Sequence, residues 1–198
     1  MRISLTAILA ILALAIAVSG QDGSTASSKQ QPVATLSAHD RQIVDTFEQR
    51  VKEYAKLRED LEAQMPKLSK EARPEEIELH KKQFQERVRA ARATAKPNDV
   101  FTPEAAILIR AIIKDEFKGR DRAELRDTVL KKADTKAVPL RVNYPYPESE
   151  ELLEMPATLL LRLPQLPKQV RYRFVGQNLL LVDRENGLIV DYMTNALP

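Results

Sequence analysis

A chain without cysteine must find its chemistry in histidines, carboxylates and hydroxyls, and only two histidines occur among these 198 residues. Thiolate zinc sites, iron–sulfur clusters and cysteine nucleophiles are excluded at once. His39 stands beside Asp40 at the start of a helical pattern, where exposure or local capping is expected. His80 lies between Ile77 and Phe84, with Glu76 four residues before it. One imidazole and one carboxylate fall short of the ligand set of a catalytic zinc site, so His80 is expected to hydrogen-bond across a helical hairpin rather than to bind metal. Glu148, Glu150, Glu151 and Glu154 cluster in one loop and offer the paired carboxylates of a glycosidase. Such a run is expected to be solvated, because an acid that works in catalysis needs burial to tune its pKa.

The best-marked hydrolase, protease and nucleotide-binding motifs are missing: there is no G-x-S-x-G, H-E-x-x-H, G-x-x-x-x-G-K-[ST] or G-x-G-x-x-G. No catalytic residue, cofactor-binding residue or metal ligand is therefore assigned, and no cofactor is expected. Tyr144 and Tyr146, set among prolines, present flat amphipathic rings suited to a partner surface. The competing reading is a stiff extended strap lying over the helices. Leu159-Leu160-Leu161 has the same two readings, core or docking patch.

Three amphipathic segments should position these groups. Ser37 followed by Asp40 resembles a capping box and starts a helix whose stripe is Ile43, Phe47, Val51, Tyr54, Leu57, Leu61 and Met65, ended by Pro66. Pro74 opens a second helix with Glu75 and Glu76 in its first turn, and a stripe of Ile77, His80, Phe84, Val88, Ala91 and Ala95. The two are expected to pack as an antiparallel hairpin, with their charged remaining faces in water. Thr102-Pro103 starts a third helix, apolar on more than one face, with Gly119 as its stop. Asp121 and Glu124 cap a shorter fourth carrying Leu125 and Val129.

The character changes near Val138, where prolines concentrate, with a short helical piece expected over Pro156 to Leu163. Val170 to Val175, Leu179 to Val182 and Leu188 to Met193 read as three strands. Gly176-Gln177 suits a tight II′ turn, and Tyr172, Phe174, Leu188, Val190 and Tyr192 are the alternating positions.

Met1-Arg2, the apolar run Ile3 to Val18 and small Ser19-Gly20 have the order of a secretory signal peptide, with cleavage expected near Gly20. A retained anchor is the alternative, since the uncharged stretch is just long enough to span a bilayer. Loss of Arg2 would lower the net charge from +3 to +2, too near balance for a polyanion-binding stripe, so nucleic acid is not expected as a partner.

The segment Leu166 to Gly176, continuing through Leu179 to Asp183 and Gly187 to Asp191, is similar to the carboxy-terminal hairpin module of small periplasmic bacterial proteins, among them the nickel/cobalt homeostasis family. The whole chain also resembles uncharacterised secreted bacterial proteins. The resemblance implies an extracytoplasmic home. It carries no metal function, because no family ligand can be matched and histidine-rich stretches are absent.

The expected division is a signal peptide over 1–20, a disordered linker over 21–36, a helical region over 37–137, and a Pro-rich strap with a small sheet over 138–198. The fold class is α+β, predominantly α: a helical hairpin with one or two further helices, then a small antiparallel meander. The expected function is that of a non-enzymatic periplasmic or secreted accessory protein that binds a protein or envelope component through the hairpin or the Tyr-Pro strap. A membrane is a partner only if the amino-terminal segment is retained. A hydrolase using carboxylates, and a small-ligand or metal-handling periplasmic protein, are the alternatives.

Overall fold

A computed structural model describes residues 36–118, 140–146 and 155–197. The expected signal peptide, all but the last residue of the linker, the Gly119 stop, the fourth helix and the Glu148–Glu154 cluster lie outside them. The protein is α+β and mostly helical, with helices in its amino-terminal part and a three-stranded antiparallel sheet at its carboxyl end. No helix among the described residues is long and apolar enough to cross a membrane.

Helix α1 (Ala38–Ala63) starts where local chemistry says it must. The Ser37 hydroxyl accepts the Asp40 N–H at 3.0 Å, satisfying a donor that the helix leaves unpaired. Val44, Phe47, Val51, Tyr54, Ala55 and Arg58 are buried. Ile43, Leu57 and Leu61 are only half-buried, so the inward face is rotated slightly from the apolar stripe and takes in an arginine.

Helix α2 (Pro74–Ala91) has the Glu76 carboxylate folded back on the Arg73 N–H at 2.8 Å. Its expected stripe shortens in the structure. Only Phe84 and Val88 are buried, Ile77 is 45% exposed, and Ala91 is exposed. Helix α3 (Pro103–Glu116) is capped by Thr102, whose Oγ1 accepts the Ala105 N–H at 3.3 Å. Ile109, Ile113 and Phe117 are buried, but Ile107 is 68% exposed, so α3 has one buried face, not several. Helix α4 (Ala157–Leu160) is a single turn that buries Leu159 and leaves Leu160 and Leu161 exposed.

Strands β1 (Val170–Val175), β2 (Asn178–Asp183) and β3 (Ile189–Met193) are joined in that order. Gly176 has φ 54° and Gln177 stays outside the left-handed region, as a II′ turn requires. The second turn is built by Asp183, whose Oδ1 accepts the N–H groups of Glu185 and Asn186 at 3.0 and 3.1 Å, with Gly187 at φ 72°.

Both faces of the sheet are covered. Tyr172, Phe174, Leu179, Leu181, Leu188, Val190 and Met193 join Phe47, Val51, Phe84, Val88, Phe101, Ile109 and Leu159 in the principal core. On the opposite face Val175, Leu180, Val182 and Ile189 pack with Tyr146, Leu140 and Tyr192. Simple alternation would set Tyr192 beside Leu188 and Val190. It falls on the other face because Leu181 pairs with Asp191 while Val182 pairs with Ile189, which leaves Val190 as the extra residue of a bulge. Each large apolar side chain buried here contributes about 1.5–3 kcal/mol, against at most about 1 kcal/mol for an exposed ion pair, so this shared core holds helices and sheet together.

Candidate functional site

Two buried polar junctions tie the helices to the sheet. At the first, the Asp183 carboxylate receives the Tyr54 hydroxyl at 2.8 Å and pairs with Arg58 Nε at 3.0 Å. Arg58 also meets Glu185 and lies 5.1 Å over the Phe84 ring. Burial, and then the charge of Asp183, push the Tyr54 phenol well above its ordinary pKa, so it remains a hydrogen-bond donor.

At the second junction the bulge turns Asp191 toward the α2–α3 connection. Its Oδ1 accepts the N–H groups of Asn98 and Tyr192 at 3.0 and 2.8 Å, and its Oδ2 those of Val100 and Phe101 at 2.8 Å each. Arg92 completes this region, donating to Asn143 Oδ1 at 2.6 Å and to the Val190 carbonyl at 3.0 Å. Asp183 and Asp191 are fully buried acids of the kind a carboxylate hydrolase would want, yet neither lines the clefts beside α2, beside β1, at the end of α1 or under Tyr144. Their oxygens are committed to holding loops and helices.

The residues singled out in the sequence are scattered. His39 is exposed, and His80 Nε2 lies 3.0 Å from the Pro66 carbonyl, bridging α2 to the loop that leaves α1. Tyr146 is buried against the second face of the sheet. The N–H of Tyr146 donates to the Gly187 carbonyl at 3.0 Å, and that of Asn143 to the Ile189 carbonyl at 2.8 Å. Tyr144 is 38% exposed, and the guanidinium groups of Arg141 and Arg89 lie 4.1 and 5.1 Å from its ring centre. Among the described residues no group of three or more His, Asp and Glu side chains could hold a metal ion.

What the sequence reading missed is a basic groove along β1. It encloses about 320 Å³ and is lined by Leu160, Leu166, Lys168, Arg171, Arg173 and Arg184 among others, with no Asp or Glu among its described lining residues. Its wall is fixed by the Tyr172 hydroxyl, which donates to the Pro164 carbonyl at 3.0 Å, and by the Val170 N–H, which donates to the Pro167 carbonyl at 3.0 Å. Burial, and then the Glu48 charge, hold the Tyr172 phenol protonated. Lys168, Arg171 and Arg184 form no ion pair among the described residues. The signal that could have revealed it is the alternation of Val170, Tyr172 and Phe174 with Arg171 and Arg173: a strand that hides its aromatic face sets its arginines side by side.

The chain matches no protein-family model, no curated protein and no solved structure.

Proposed function

We propose that this chain is a non-enzymatic accessory protein of the bacterial cell envelope that binds an anionic partner in the basic groove beside β1. The observation that carries this reading is that Lys168, Arg171, Arg173 and Arg184 converge on one cleft whose described lining residues include no Asp or Glu. Cations brought together at a concave site raise the local concentration of an anion and steer its approach, an effect that salt weakens. The leader-like residues 1–20 support placement outside the cytoplasm.

The test is fluorescence anisotropy of a labelled poly-glutamate peptide against the purified protein, beside a neutral poly-glutamine control. The expected result is saturable binding of the acidic peptide alone, weakened by salt and reduced about tenfold or more in the Arg171→Glu/Arg184→Glu variant, which corresponds to about 1.4 kcal/mol. Absence of binding, or equal binding by a variant whose circular dichroism matches the wild type, would refute the reading.

A further inference from the structure

The groove is more than a charged cleft, because Val170 to Arg173 of the outer strand β1 line it. In the order β1-β2-β3, β1 has β2 on one side, and among the described residues no strand pairs with its other side. Val175 and Asn178 close a two-residue turn and exchange both backbone hydrogen bonds, which places Arg173 opposite Leu180 and Arg171 opposite Val182 in the same hydrogen-bonded class. The intervening Tyr172 and Phe174 therefore turn their N–H groups away from β2. Among the described residues nothing accepts from either group. Two such N–H donors on an outer strand can serve as a template for another strand.

Proteins usually blunt such an edge with charge, and Arg171 and Arg173 fill that role against one class of visitor. In a second copy paired antiparallel through Tyr172, Arg171 would face Arg173 of its twin, and like charges directly opposite are destabilising. The same two side chains favour a strand that brings carboxylates to those positions, so one device both rejects self-association and selects a partner.

Resting on the reading above, we infer that the anionic partner is an extended polypeptide segment that adds as a fourth strand to the free edge of β1. Its acidic residues occupy alternate positions facing Arg171 and Arg173, with apolar residues between them. The period follows from the pleat, which returns every second side chain to the same face. The apolar positions find Leu160 and Leu166, which line the same groove. Backbone hydrogen bonds to Tyr172 and Phe174 supply affinity and the arginines supply selectivity, the division of labour found in strand addition generally. Arg173 already donates to the Tyr172 carbonyl at 3.0 Å, so the incoming N–H shares that oxygen, which has a second lone pair.

The experiment uses the purified protein and four capped peptides of about seven residues, a typical strand length. One alternates glutamate with valine, a second replaces glutamate by glutamine, and a third is the acidic peptide N-methylated at the residues that would pair with β1. The fourth carries the acidic composition in scrambled, non-alternating order. Affinity is read by calorimetry, and the backbone by amide hydrogen exchange. The expected result is that the first peptide binds and slows exchange at Tyr172 and Phe174, and that each of the other three binds at least about tenfold more weakly.

Equal binding of the N-methylated or scrambled peptide, with exchange at Tyr172 and Phe174 unchanged, would overturn strand addition while leaving an anion-binding groove intact. Failure of every acidic peptide, or equal affinity for the glutamine peptide, would overturn both. A dimer in sedimentation equilibrium that Arg171→Glu alters would assign the edge to a second copy and so refute the proposal. Binding of phosphatidylglycerol vesicles in competition with the first peptide, without any change in exchange at Tyr172, would assign the groove to a lipid surface instead.

Discussion

A carboxylate with no exposure to water survives only if donors reach both of its oxygens, and Asp191 illustrates how four backbone N–H groups meet that demand. Burial raises its pKa above the ordinary 3.8, and the N–H groups pull it back only in part. A folded-state pKa raised above the unfolded one means that the native protein holds this proton more tightly. Its stabilising contribution is then complete below 3.8 and is lost as pH rises through the folded value. Asp191→Asn would point an amide NH₂ at N–H donors and is expected to cost about 2–4 kcal/mol. Because asparagine does not titrate, the gap between wild type and variant should be wider at about pH 3.5 than at about pH 6.5. Denaturant titration of both proteins at the two pH values measures it, and a gap that widens with pH would reverse the sign of the argument.

Elements begin and turn where local chemistry dictates, and those features are legible in the sequence. Ser37, Thr102-Pro103 and Gly176 act through neighbours only a few residues away, so their caps and turn can be read without any tertiary information. The bulge at Val190 is not legible, since it depends on what Asp191 reaches across the molecule, and it moves Tyr192 to the other face. Arg58, one of the charges that sequence alone leaves in water, is buried because Asp183 and Glu185, more than a hundred residues away, come to meet it. The arginine face of β1 is legible in its alternation, but the rest of the groove is not, for the same reason: Leu160, Lys168 and Arg184 meet it only when the sheet forms. Gly187 gives a test at this scale. It has φ 72° and no neighbouring atom within 4 Å of where a β-carbon would stand, so Gly187→Ala carries only the backbone cost of the left-handed region. A loss of about 1–2 kcal/mol is expected in urea denaturation, with Gly187→Asn distinctly milder because asparagine tolerates that region.

At the scale of the molecule, the sheet is a middle layer. Helices α1, α2 and α3 cover one face, and the segment carrying Leu140 and Tyr146 covers part of the other. This explains why β2 reads as Leu179-Leu180-Leu181-Val182 without alternation: a central strand buried on both sides has no solvent face to mark with polar residues. It also means that neither the helices nor the strands can bury their apolar surface alone. Phe47 of α1 stacks on Tyr172 of β1 at 6.5 Å between ring centres, and Tyr54 of α1 reaches Asp183 at the end of β2. Removing the sheet would strip the inner faces of all three helices. Unfolding is therefore expected to be one cooperative transition, with the helical signal in far-ultraviolet circular dichroism and the tyrosine signal in the near ultraviolet moving together in urea. Since the chain has no tryptophan, that near-ultraviolet signal comes chiefly from its five tyrosines, and Tyr54, Tyr146 and Tyr172 are all buried between layers. Tyrosine loss at lower urea than helix loss would show that the helices stand without the sheet, contradicting the single shared core.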